Sequence, residues 1–417
     1  MIRNIIPVTA LLSSFAILCM GHGLQSVLLP TRGALFENPN LITGMMMSGY
    51  YVGFILGTFI CPRLITRVGH IRIFAAAGAS ACAIMLAHAL MPVPLMWILL
   101  RVVYGFCFIH LYTVMESWLN SIGDASSRGK ILSIYMIINF IAMSAGQMLF
   151  FTVPGTGFEL YSLSAMLLTL ALVPLTLGRA IQPTVVTAPE PFRVRKLFEV
   201  SPLGVTGAVV VGLMGGAYWG MTAIYVLHLG YNEDAIAWFM AASLIGGLLA
   251  QWPLGSLSDR INRRLVILLA AVLIGLSSLL LFIMALWPEP AITFGVLWLV
   301  IIGALFGAGF HPLYSLCIAH ANDFVSNQHF VAASAGLQMV QGCGAVLGPL
   351  LAGGLMALLG PSALFIYIGG LAAAFALYTL KRLAAHRVAS ETTVSPFRFL
   401  TRTGAFAFFL DPRAKYR

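Results

Sequence analysis

Apolar residues run along this chain in blocks of about twenty, broken by short polar stretches, and that length is what a helix needs to cross a hydrocarbon layer. Twelve such blocks are predicted, at roughly 6–29, 41–61, 73–91, 95–117, 130–153, 159–181, 203–228, 233–257, 265–286, 292–318, 329–352 and 361–383. The longest polar break, 182–202, begins Gln182-Pro-Thr-Val-Val-Thr-Ala-Pro-Glu-Pro and reads as a cytoplasmic linker. It separates an N-terminal six-helix bundle (1–181) from a C-terminal one (203–383), and a cytoplasmic tail (384–417) follows. Outer connections such as Met91-Pro-Val-Pro94 and Trp287-Pro-Glu-Pro290 are short, with proline ending the helices. The fold class is therefore all-α integral membrane.

One polar segment occurs twice. Gly255-Ser-Leu-Ser-Asp259-Arg260-Ile-Asn-Arg263-Arg264 has a degenerate copy 193 residues earlier. Aligning Val52–Phe74 with Ile245–Ile267 puts Thr66 opposite Asp259, Arg67 opposite Arg260 and His70 opposite Arg263. A repeated membrane hairpin marks an internally duplicated transporter.

Composition adds to this picture. Hydrophobic residues make up 60% of the chain and charged ones 9%, far from the range of soluble domains. The first block is too long for the apolar core of a cleaved signal peptide and is expected to stay in the protein. The formal charge of +10 does not point to nucleic acid, because 21 of the 23 Lys and Arg residues fall on one side of the predicted layer. Only Arg32 lies on the other side, and Arg101 lies within a span. Under the positive-inside rule, this asymmetry predicts both termini in the cytoplasm of a multi-pass inner-membrane protein, with contact to anionic lipid as a secondary role. The six cysteines lack CxxC spacing and read as small hydrophobes, with no disulfide framework, metal site or cofactor indicated. The tail carries Ser395-Pro-Phe-Arg-Phe-Leu, which suits a disordered or interfacial segment.

The motif Gly255…Asp259-Arg260…Arg263-Arg264 resembles the loop signature of the major facilitator superfamily. That resemblance covers residues 1 to about 383 and implies a major-facilitator fold of two pseudo-symmetric six-helix bundles. The first copy, Cys61-Pro-Arg-Leu-Ile-Thr66-Arg67-Val-Gly69-His70, lacks the acidic residue. Within the superfamily, Glu116-Ser-Trp, Arg128-Gly129-Lys130, Tyr135, Gln147 and Gln251-Trp-Pro-Leu-Gly255 resemble the YcaD-type subfamily. The resemblance implies that spans 1, 4, 7 and 10 line a central cavity, and each of these spans is unexpectedly polar. Span 1 carries His22 and Gln25; span 4 carries Arg101, His110 and Glu116. Span 7 carries Tyr218, Trp219, Tyr225 and His228; span 10 carries His311 and Tyr314. Polar side chains are costly in hydrocarbon unless they meet water or a partner, and histidine changes charge near neutral pH. The alternative for each histidine is a hydrogen bond to a neighbouring helix.

Arg101 and Glu116 are the full charges deep in spans, where ionisable groups are functional suspects. Arg101 with Gly105 resembles the family's span 4 pattern for proton coupling; a buried structural arginine is the other reading. Glu116 lies 15 residues further on, or ~22 Å along a helix, too far for a direct pair. It is expected to form a cytoplasmic gate pair with Arg128 or with the basic loop holding Arg67. Asp259 is expected to reach the helix N-terminus near Lys130, as a gate contact with Arg260, Arg263 and Arg264 around it. Asn139 and Gln341 face one another when Gly146 is aligned with Gly348 at an offset of 202, either to bind solute or to join helices. The run Gly342-Cys-Gly344-Ala-Val-Leu-Gly348-Pro349 resembles a glycine-proline signature of drug/proton antiporters, but in span 11 rather than span 5, and packing also explains it.

No nucleophile elbow, HExxH or phosphate loop occurs, so the chain is not expected to be an enzyme or to use ATP. The expected function is monomeric, secondary-active transport of a small solute by alternating access, proton-coupled, with export ahead of uptake. The alternatives are a facilitator or uptake carrier for a sugar or organic acid, and a transporter-derived sensor or lipid-handling protein.

Overall fold

The structure is a computed structural model that describes residues 2–122, 128–152, 157–177, 194–286, 295–325 and 330–385. Among the described residues, twelve helices are long and apolar enough to cross a membrane, which matches the twelve blocks. Spans 1–4 are Ile2–Gly33, Pro39–Val68, His70–Leu90 and Pro94–Ile122. Span 5 is Arg128–Met148, continued by a 3-10 turn, and span 6 breaks at Ala171 between Glu159–Leu170 and Leu172–Leu177. Spans 7–12 are Pro202–His228, Glu233–Arg260, Arg263–Leu286, Val296–Asn322, Phe330–Leu359 and Ala363–Ala385. Within the predicted linker, Val194–Val200 forms a short helix with Arg195 paired to Glu199. The rest of the linker before it, and the tail beyond 385, lie outside the described residues.

Several helices outrun their apolar blocks, because backbone hydrogen bonding continues after the side chains turn polar. Span 2 runs through Pro62 to Val68 and stops at Gly69, whose φ of 90° suits glycine and not a residue with a Cβ. Span 8 ends at Arg260, and span 9 begins three residues later.

The described parts of residues 1–29 and 49–190 form one compact unit; those of 30–48 and 191–399 form the other. Inside each unit the helices interlock through glycines, and the two units repeat the arrangement. In the first, a methyl group on Gly53 would run into the Val102 carbonyl oxygen, and one on Gly105 into that of Tyr50. In the second, Gly246 stands in the same relation to Ala304, and Gly307 to Ser243. Spans 1 and 5 meet at Gly23 against the Met143 carbonyl and Gly146 against that of Met20; spans 7 and 11 meet at Gly216 against Ala345 and Gly348 against Leu213. Every one of these counterparts is separated by 193 residues in spans 1, 2, 7 and 8, and by 202 in spans 4, 5, 10 and 11. Small residues at such points let backbones approach closely enough for dispersion to hold helices together in lipid. The duplication seen in one loop therefore extends through four spans of each unit.

Candidate functional site

The first unit gathers its polar residues around Arg101. Span 4 presents Arg101, 2% exposed, with its guanidinium carbon 4.7 Å from the centre of the Tyr50 ring and 5.8 Å from that of Tyr104. Both distances fit cation–π attraction, which strengthens when water is excluded. His22, from span 1, stacks on Phe108 at 4.0 Å and lies 6.0 Å from Tyr50 and 6.2 Å from Tyr104. Gln25 sits one turn along span 1, buried beside the His22 ring. The Tyr104 hydroxyl is fully buried without a hydrogen-bond partner among the described residues. Sequence reasoning picked out Arg101, His22 and Gln25 but missed Tyr50 and Tyr104. The available signal was that Tyr104 lies three residues after Arg101, on the same helix face.

The other predicted residues of this unit lie outside the cluster. His110 shares a 2.6 Å hydrogen bond from Nδ1 with the Phe106 carbonyl of its own helix, and its ring lies against Gly57 of span 2. Asn139 accepts a hydrogen bond from the Cys19 thiol at 3.3 Å, tying span 5 to span 1. Glu116 is buried and accepts from the Tyr135 hydroxyl at 3.4 Å, while Tyr135 stacks on Phe15 at 4.1 Å. The side chain of Arg128, its expected partner, lies outside the described residues, and Arg67 is exposed at the end of span 2.

Among the described residues, the second unit has an aromatic centre without an arginine or lysine. Tyr218 stacks on Phe306 at 5.2 Å and lies 5.2 Å from Trp219 and 5.6 Å from Phe310. Trp219 approaches His311 at 6.2 Å, and His311 Nε2 shares a 3.3 Å hydrogen bond with Ser243. Tyr225 turns away, donating to the Leu281 carbonyl and packing on Phe365 at 4.6 Å. Tyr314 and Gln341 are buried, the latter with its backbone carbonyl against Gly212.

Charge in this unit collects at the span ends. Arg263 is buried, 3.2 Å from Asp259 and 3.1 Å from Asp323 at the end of span 10. Arg264 donates to the Arg382 carbonyl at 3.1 Å, and Arg260 is exposed. Asp259, expected to reach the helix near Lys130, thus has Arg263 beside it; the Lys130 side chain lies outside the described residues. His70, the counterpart of Arg263, shares a 3.0 Å hydrogen bond with Ser117 near the end of span 4. At the opposite end, Arg32 forms a forked contact with Glu233 at 3.1 and 3.4 Å. Sequence reasoning had noted Arg32 only as the cation on the wrong side. Asn40 donates to the Met356 carbonyl at 3.2 Å and Ser48 to that of Val346 at 2.7 Å, so residues 30–48 are held within this unit by several bonds. Among the described residues, no group of three metal-ligating side chains occurs.

Residues 204–412 match the Major Facilitator Superfamily, and residues 10–189 match a family described as transmembrane secretion effector. The chain is 28% identical to an uncharacterized MFS-type transporter of Enterobacter sp. (strain 638), over 91% of this chain and 97% of that protein. It is also 28% identical to the uncharacterized MFS-type transporter YcaD of Salmonella typhi, over 90% and 96%. Among solved structures it resembles the nucleoside transporter NupG, with a TM-score of 0.72, 13% identity and coverage of 90% of this chain and 99% of that one. A bacterial homolog of the lysosomal transporter Spinster, inward-facing and occupied, aligns with a TM-score of 0.66 and 13% identity, over 92% and 98%. These two likenesses speak for the fold, since fold alone does not carry substrate.

Proposed function

Because this chain is a major facilitator superfamily member of the YcaD type, a multi-pass membrane transporter of small solutes, we propose that it exports its solute across the cytoplasmic membrane in exchange for protons. The supporting observation is the contrast between two similarly interlocked units, one holding a buried arginine among His22, Tyr50 and Tyr104 and the other holding neutral aromatics. A buried ionisable group in a membrane span marks an ion or solute pathway. His22 beside Arg101 adds a second ionisable side chain to this cluster. Export is favoured by the match of the first unit to a secretion family and by the Tyr218, Trp219 and Phe310 rings, which suit an amphipathic solute. On this reading Asp259–Arg263–Asp323 and Arg32–Glu233 are gating contacts at opposite span ends, and both termini lie in the cytoplasm. The protein works as a monomer.

Purified protein in liposomes loaded with a pH dye tests this, with a panel of drugs, sugars, organic acids and metabolites added in turn. A solute-driven pH change that is lost in Arg101→Ala supports coupled transport. Movement of labelled solute without a pH change removes the coupling and leaves a facilitator. Saturable binding with no movement of any solute overturns transport in favour of a sensor.

A further inference from the structure

We propose that the solute carries a carboxylate, and that Arg101, the Tyr104 hydroxyl and the Gln25 amide form its recognition site in the first unit. This rests on the transport reading above and names the substrate class of the same site.

The internal repeat provides the argument, because the protein contains its own control. Span 10 packs on span 8 through the same pair of glycine contacts that join span 4 to span 2. At the offset of 202, however, Gly303 stands in the place of Arg101 and Phe306 in the place of Tyr104. At the offset of 193, Ser243 replaces Tyr50 and Gly215 replaces His22. The helix pair therefore closes without a cation or a phenol, and neither is a requirement of packing. A guanidinium held in a span at 2% exposure is costly, and a cost that the frame does not need points to a ligand.

The geometry narrows the ligand. Tyr50 and Tyr104 lie at cation–π distance from the Arg101 guanidinium carbon. The N–H fork of a guanidinium lies in its plane, and a planar carboxylate matches that fork with two parallel hydrogen bonds. Two further buried groups offer hydrogen bonds at the same place. The Tyr104 hydroxyl, on a fully buried residue, is a donor without a partner among the described residues. Gln25, 1% exposed and beside His22, brings a buried amide to the same place. A buried hydroxyl left unmatched is expensive, so a bound solute that satisfies Tyr104 is favoured over one that does not. The stacked rings of His22, Tyr104 and Phe108 give the body of the solute an apolar wall, with Tyr104 and Phe108 at 5.2 Å.

The test is a ligand-titrated thermal-unfolding assay on the purified full chain. The probes are acetate, succinate, benzoate and phenylacetate, compared with benzamide, phenylacetamide and benzylamine. At least one carboxylate is expected to stabilise the protein, with an apparent affinity about tenfold to a hundredfold tighter than its amide, the range set by one charged hydrogen-bonded pair. That preference disappears in Arg101→Gln and weakens several-fold in Tyr104→Phe, a replacement that span 10 shows to be compatible with the packing. Stabilisation by the amides or the amine equal to that by the carboxylates overturns the proposal, as does no response to any carboxylate or an undiminished preference in Arg101→Gln. Solute-driven flux of neutral or cationic compounds in the liposome assay would retain transport and reject the carboxylate, so the two failures are distinguishable.

Discussion

The two units have the same skeleton and opposite distributions of charge. The first places its cation mid-span, at Arg101 among tyrosines, and ties its span 2–3 turn to span 4 with the neutral pair His70–Ser117. The second has neutral aromatics at the corresponding depth and makes the corresponding tie with Arg263 between Asp259 and Asp323. His70 and Arg263 occupy equivalent positions, so one duplicated framework has been specialised twice. What both units keep, the glycine contacts, reads as structure; what differs reads as function. A difference between repeats also separates these roles without recourse to other proteins.

The comparison can be broken first at the span ends. Asp323→Ala leaves buried Arg263 with one carboxylate fewer, Asp259 staying beside it, and is expected to cost about 3 kcal/mol of stability. Ser117→Ala removes the partner of His70, the counterpart of Arg263 in the first unit; one neutral hydrogen bond is lost, at an expected cost of about 1 kcal/mol. Denaturant unfolding of the two variants side by side measures the gap, and equal losses would erase the proposed asymmetry. Next come the shared contacts. Gly105→Val and Gly307→Val each push a side chain into a facing carbonyl and are expected to cost similar amounts, about 3 kcal/mol. A large loss for one and none for the other, in thermal unfolding of the purified variants, would contradict a common frame. Glu233→Gln weakens the forked pair with Arg32, and with Glu233 partly exposed the expected loss is about 1 kcal/mol. Tyr104→Phe copies Phe306 and should change stability by less than about 0.5 kcal/mol while reducing solute affinity, so a stability scan paired with a binding titration separates the two roles.

The amino-acid sequence alone reveals the twelve spans, because lipid demands long apolar runs and few alternatives satisfy the backbone there. It reveals the duplication as well, since Gly255…Arg264 and its partial copy carry polar residues that stand out between apolar blocks. The site is less legible. Arg101 and His22 can be singled out because polarity in a span is rare, but their assembly is not visible, as Tyr50 and Arg101 are 51 residues apart and meet only through helix packing. The role of Arg263 is hidden for the same reason. Its partner Asp323 lies 60 residues away in a segment that reads as an ordinary span end. Tyrosine also escapes notice, since its ring satisfies an apolar pattern while its hydroxyl does chemistry.

The account turns on Arg101 serving the solute and not the fold. The most direct measurement is solute-driven proton flux in liposomes containing Arg101→Gln at an incorporation equal to that of the unaltered protein. The account predicts that the variant inserts and unfolds like its parent and that its flux falls to the level of empty liposomes. Flux that persists at the parental rate would contradict it.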